Sequence, residues 1–116
     1  MRMNVFEMEG FLLGKCVPRD LKVNETNAEY LVRKFDEVRA EARNEGINYT
    51  ASRLAAAFNH GFINKPLAEV FDVTRMILSA KEELANESHP IDGLSGEYAE
   101  KSLEEWAEQI RKGSSQ

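Results

Sequence analysis

Apolar residues recur at Ala28, Leu31, Phe35, Val38 and Ala42, stepping 3, 4, 3 and 4 positions along the chain. A strand alternates every two residues, so five residues at this spacing share a face only on an α-helix. Thr26, with Glu29 three positions later, supplies the capping-box pattern that starts such a helix. Arg33, Lys34, Asp36, Glu37, Arg39 and Glu41 fill the other faces, and Gly46 is expected to end the element. Two heptads are short for a coiled coil, so the reading favours burial of this stripe within the chain over pairing with another copy.

The remaining segments carry the same period. Asn4–Leu13 is expected to be a short helix, weakened by Gly10 and Gly14, and Pro18 marks an extended connector after it. A third helix is expected over Thr50–Asn59, with Leu54, Ala57 and Phe58 as anchors, ending at Gly61. The next, from Lys65 to about Asn86, shows Leu67, Val70, Phe71, Ile77, Leu78 and Leu84 on its main face. A loop with Pro90, Gly93 and Gly96 leads to a last helix, about Gly96–Lys112, expected to bury Ala99, Leu103, Trp106 and Ile110. The fold class is therefore all-α, a small bundle of about four main helices after a short irregular N-terminal segment. The whole reads as one domain over 1–116, with the segment at 1–24, the bundle at 25–112 and a frayed tail at 113–116.

Charge narrows the function. The net charge is −5, and it is uneven: residues 1–66 hold 10 Lys/Arg against 9 Asp/Glu, while residues 67–116 hold 5 against 11. An acidic half fits polyphosphate poorly, which disfavours a nucleic-acid partner. One cysteine, Cys16, cannot form an internal disulfide and suits a reducing cytoplasm. No apolar run approaches the roughly 18 residues of a membrane span, and the N-terminus does not read as a signal peptide. Asn24, Asn48 and Asn86 sit in glycosylation-type triplets, but Asn24 and Asn48 are better read as caps near helix starts.

The break in "AAAFNHGFINKPLAEVF", Ala55–Phe71, is the most site-like stretch. Ala57 and Gly61 have the spacing of a DNA-reading helix-turn-helix, yet Lys65 is the one base of its turn, and Glu69 and Asp72 would face phosphates. Its residues fit a helix stop at Gly61 and a start capped by Asn64, with Pro66 in the first turn and Phe62 and Ile63 turned inward. Asn59 and His60 are then expected exposed at the corner between Asn59 and Pro66. A magnesium-dependent nucleotide hydrolase would need two facing acid pairs, for which Glu69 and Asp72 offer one. His60, His89 and Cys16 are too scattered for a zinc set, and no Gly-rich phosphate loop is present. No catalytic, metal or cofactor residues are expected.

The run "MRMNVFEMEGFLLGKCVPRDLKVNETNAEYLVRKFD", Met1–Asp36, resembles an N-terminal segment of small accessory proteins of lambdoid prophages, some grouped as Ead-like and others as domains of unknown function. The stretch from Tyr49 to Trp106 resembles a second prophage-type module. The resemblance carries no catalytic residues. It implies a phage accessory product in the bacterial cytoplasm, dispensable for particle building, that acts by binding a protein, either a host factor or itself. Leu31, Phe35, Val38, Asn59 and His60 are the expected partner-binding residues, with DNA binding and nucleotide hydrolysis as the competing readings.

Overall fold

The computed structural model describes residues 4–87, 89 and 91–114. Among these the chain is all-α, with helices α1 (Val5–Leu12), α2 (Asn27–Asn59), α3 (Leu67–Asn86) and α4 (Glu97–Ser114). It divides into two compact units, residues 1–81 and 82–116. Of the expected punctuation, Pro90 and the last two residues of the tail lie outside the described residues.

Local chemistry sets the helix ends. The Asn4 side chain accepts from the Glu7 N–H at 2.8 Å and starts α1. The expected capping box starts α2: Glu29 N–H donates to Thr26 Oγ1, and Thr26 N–H donates to Glu29 Oε1, both at 3.1 Å. At the other end of α2, Phe62 N–H reaches back to Ala57 O and Gly61 N–H to Phe58 O. That paired closure needs a left-handed residue between helix and loop, and Gly61 supplies it at φ +80°.

Gly46 does not end a helix, contrary to expectation. Residues 27–59 form one 33-residue helix in place of two. Glycine stops a helix by adopting a left-handed φ, and Gly46 is absent from the positive-φ glycines. Its intrinsic cost is only about 1 kcal/mol. The alanines and leucine farther out on either side (Ala40 and Ala42 before it, Ala51 and Leu54 to Ala57 after it) favour helix, and no proline falls within α2. Asn48 consequently caps nothing, and the Thr50 hydroxyl donates to Gly46 O at 2.9 Å within the helix.

In the first unit, α2 and α3 form an antiparallel hairpin about the turn at 60–66. Lys81 Nζ donates to Asn48 Oδ1 at 2.6 Å, fixing the end of the pair remote from the turn. Phe11 and Tyr30 meet in a buried patch toward the N-terminal end of α2, and farther along Ala51 of α2 and Val70 of α3 are each buried. Phe62 does not plug the corner as expected. It is exposed, because the Gly61 closure turns the chain outward, and Ile63 is only half-buried.

In the second unit, α4 follows a turn whose Gly96 sits at φ +82° and accepts from the Glu100 N–H. Leu103 and Trp106, expected buried, are 61% and 56% exposed. Ile110 is likewise largely exposed. A unit of this length has too little surface of its own to cover an amphipathic helix.

Candidate protein-binding surfaces

The best-ordered polar cluster lies where the connector meets α2. Tyr30, 1% exposed, is its centre. Phe11 meets the ring edge-on at 5.5 Å, and the charged ends of Arg33 and Lys34 lie 5.3 and 5.7 Å from its centroid. The Tyr30 hydroxyl donates to Asp20 Oδ1 at 2.9 Å. Lys34 pairs with the other Asp20 oxygen and, at 3.0 Å, with Glu37. Arg33 grips Glu25 with two parallel bonds, also donates to Asp20 O, and pairs with Glu37.

These pairings shift the ionisations in one consistent sense. The Lys34 ammonium, and then the Tyr30 hydroxyl, hold Asp20 down to about 2. The Arg33 guanidinium does the same to Glu25, also to about 2. Lys34 and Arg33 lower Glu37, while Asp20 and Glu37 raise Lys34. Burial, with the bond to Asp20 behind it, raises the Tyr30 phenol. Every charge in the cluster has a partner, so it fastens the connector to α2 and leaves no group poised for proton transfer. Sequence periodicity did not reveal Tyr30 or Lys34, since both lie off the apolar stripe. Their four-residue spacing, beside the acids of the connector, was the available signal.

Among the described residues of the first unit, two open apolar surfaces bear on the expected partner-binding residues. One is a groove between α2 and α3, of about 380 Å³, with Phe58, Val70, Phe71, Thr74 and Leu78 among its walls. Phe71 is 59% exposed there, and Leu67 at the groove's end is 69% exposed. The Thr74 hydroxyl is buried and has no hydrogen-bond partner among the described residues. Asn59 borders this groove. His60 closes α2 beside it, its backbone N–H bonded to Ala56 O, and both Asn59 and His60 are exposed.

The second open surface is the predicted stripe on α2. Phe35 is 71% exposed and Val38 42%, so the expected burial within the chain is not met. Leu31 is half-buried. The cause is angular: Tyr30 and Lys34 take one side of α2 toward the connector, and Ala51, Ala55 and Phe58 take another toward α3. The stripe faces neither. Leu31, Phe35 and Val38 thus share one surface, while Asn59 and His60 belong to the groove end, so the five expected residues form two groups.

Glu69 and Asp72 sit early in α3, and among the described residues no group of three or more His, Cys, Asp or Glu could hold a metal ion. Among the same residues, no helix is long and apolar enough to cross a membrane. Cys16 is a free, exposed thiol, donating at 3.4 Å to Glu7 O.

A known family model matches the part that holds the Tyr30 cluster. Residues 4–45 match the family described as the YfdS protein N-terminal domain, a span covering α1, the connector and the first part of α2. The uncharacterized protein YfdS of Escherichia coli K12 is 88% identical over 41 residues, 35% of this chain and 34% of that protein. The Eae protein of Salmonella phage P22 is 36% identical over 77 residues, 66% of this chain and 46% of that protein. The chain thus spans about a third of one relative and under half of the other. No solved structure matches. Residues 4–45 are therefore similar to the YfdS N-terminal domain, and the resemblance of the first 36 residues to prophage accessory proteins holds.

Proposed function

We infer that this chain is a non-enzymatic prophage accessory protein that works in the bacterial cytoplasm by binding protein, a host factor or a second copy of itself. The observation that carries this reading is the open groove between α2 and α3. Its apolar walls and single unpaired hydroxyl, at Thr74, suit an apolar segment that brings one polar group. A buried hydroxyl without a partner costs stability, so a ligand that satisfies it gains affinity. Asn59 and His60 stand at the rim, where a bound segment would meet polar contacts.

The test is capture from a bacterial lysate with the tagged full chain, beside a Phe71→Asp variant whose helicity is checked by circular dichroism. A partner held by the wild type and lost by the variant supports the reading. No captured partner, together with a strictly monomeric mass, overturns it.

A further inference from the structure

The stripe on α2 is longer than two heptads, because the helix does not break at Gly46. At 100° per residue, Ala28, Leu31, Phe35, Ala42, Gly46 and Tyr49 all fall within about 40° of one line. Phe35 and Tyr49 are 71% and 66% exposed on it. The line runs about six turns, roughly 30 Å. Gly46 is unexplained by the chain itself: it is helical, has an ordinary φ, and a Cβ added there would meet nothing within 4 Å.

We propose that this face pairs with the same face of a second copy, the two α2 helices running antiparallel about a two-fold axis between Val38 and Arg39. This rests on the protein-binding reading and deepens its self-association arm. In that one register each large residue meets a small one. Phe35 lies over Ala42 of the second copy, Leu31 over Gly46, and Tyr49 over Ala28. The missing side chain of Gly46 becomes the space that Leu31 fills, and the close approach offsets the helix cost of glycine.

Charge selects the antiparallel direction. Along one flank of the stripe, Glu29 and Asp36 come first and Arg39 and Arg43 follow. An antiparallel pair sets like flanks side by side, which places Asp36 of one copy between Arg39 and Arg43 of the other, twice over. Asp36 itself lines a shallow hollow with Ala28, Glu29 and Val32, beside Arg33 and Glu37, on this flank. A parallel pair would instead set opposite flanks side by side and leave Asp36 away from Arg39 and Arg43 of the other copy. Neither Asp36 nor Arg39 takes part in the ion pairs among the described residues of the chain.

The experiment is sedimentation equilibrium on the full chain, with helicity followed in parallel. A two-chain mass is expected for the wild type. Phe35→Glu should give a folded monomer, since Phe35 is exposed. Should that variant unfold, Asp36→Arg supplies the readout, weakening the dimer by about tenfold or more. A 1:1 mixture of Asp36→Arg with the Arg39→Asp/Arg43→Asp variant should recover a heterodimer. For direction, in a Cys16→Ser background, Ala28→Cys should form a disulfide with Tyr49→Cys and not with itself. A monomeric wild type, a dimer indifferent to Phe35→Glu and Asp36→Arg, or an Ala28→Cys self-crosslink would each overturn the proposal. A monomer that still captures a lysate partner through Phe71 overturns only this proposal and leaves the groove reading standing.

Discussion

Arg33 holds Glu25 by a two-pronged grip, Nε to Oε2 and Nη2 to Oε1, each 2.9 Å long. The two residues are eight apart: Glu25 lies just before the start of α2 and Arg33 two turns into it. The same guanidinium donates to Asp20 O, so one side chain ties both ends of the last connector turn. The connector has no helix or strand of its own, and its position on α2 rests on these bonds and on Phe11 against Tyr30.

Arg33→Lys should therefore not behave as a conservative change. A lysine keeps the charge but cannot make the parallel pair or reach Asp20 O at once. The expected result is loss of protection in residues 15–26 by hydrogen exchange, while α3 keeps its protection. Uniform loss throughout the first unit, or none, would show that the grip does not order the connector.

Acid should loosen the same corner. Asp20 and Glu25 are held at about 2 in the folded chain, below the ordinary carboxylate range, because Lys34 and Arg33 favour their ionised forms. The unfolded chain then binds more protons between about pH 2 and 4, so stability rises with pH across that window. The contribution is complete above about pH 5 and disappears as pH falls through 2. Lys34 and Tyr30 are raised, so stability falls again above about pH 10, where the unfolded chain loses those protons first. Urea midpoints measured from pH 2 to 11 should show a plateau with these two limbs. Asp20→Asn with Glu25→Gln should flatten the acid limb, and an unchanged limb would assign it to other groups.

Tyr30 carries the buried contact of the N-terminal part. Tyr30→Ala removes the ring against Phe11 and strips Arg33 and Lys34 of the face they lie over. Truncating a buried aromatic costs roughly 3–5 kcal/mol. Tyr30→Phe keeps the ring and loses only the bond to Asp20, and should cost clearly less. Chemical denaturation of both variants checks the order. Equal losses would mean that the hydroxyl, and not the ring, holds the connector.

The helices were legible because their signals are local. The Thr26–Glu29 box, the Gly61 closure and the stripe from Ala28 to Ala42 each depend on residues within a few positions. Gly46 misled because a glycine stops a helix only by leaving the right-handed region, and whether it does so is decided by the helix formers around it. The stripe's exposure was not legible either. Period identifies a face, but which face is covered depends on where the connector and α3 pack, and those contacts join residues far apart in sequence. Asn48 shows the same limit: near an expected helix start it read as a cap, whereas it accepts from Lys81, 33 residues away.

Gly46 offers a last measurement, because its effects on folding and on pairing have opposite signs. Within one chain, an added methyl meets open space and removes the helix penalty of glycine, so Gly46→Ala should stabilise α2 by about 0.5–1 kcal/mol. Made in a Phe35→Glu background, where pairing is abolished, the change should raise the urea midpoint by that amount. In the otherwise wild-type chain, the same methyl occupies the space assigned to Leu31 of the second copy and should weaken association. Larger replacements should widen the contrast, so Gly46→Leu should leave helicity intact and give a monomeric mass. A single glycine whose replacement strengthens the chain and separates the copies is hard to explain by any role confined to one molecule. If Gly46→Leu leaves the mass of the dimer unchanged, α2 does not pair across this residue.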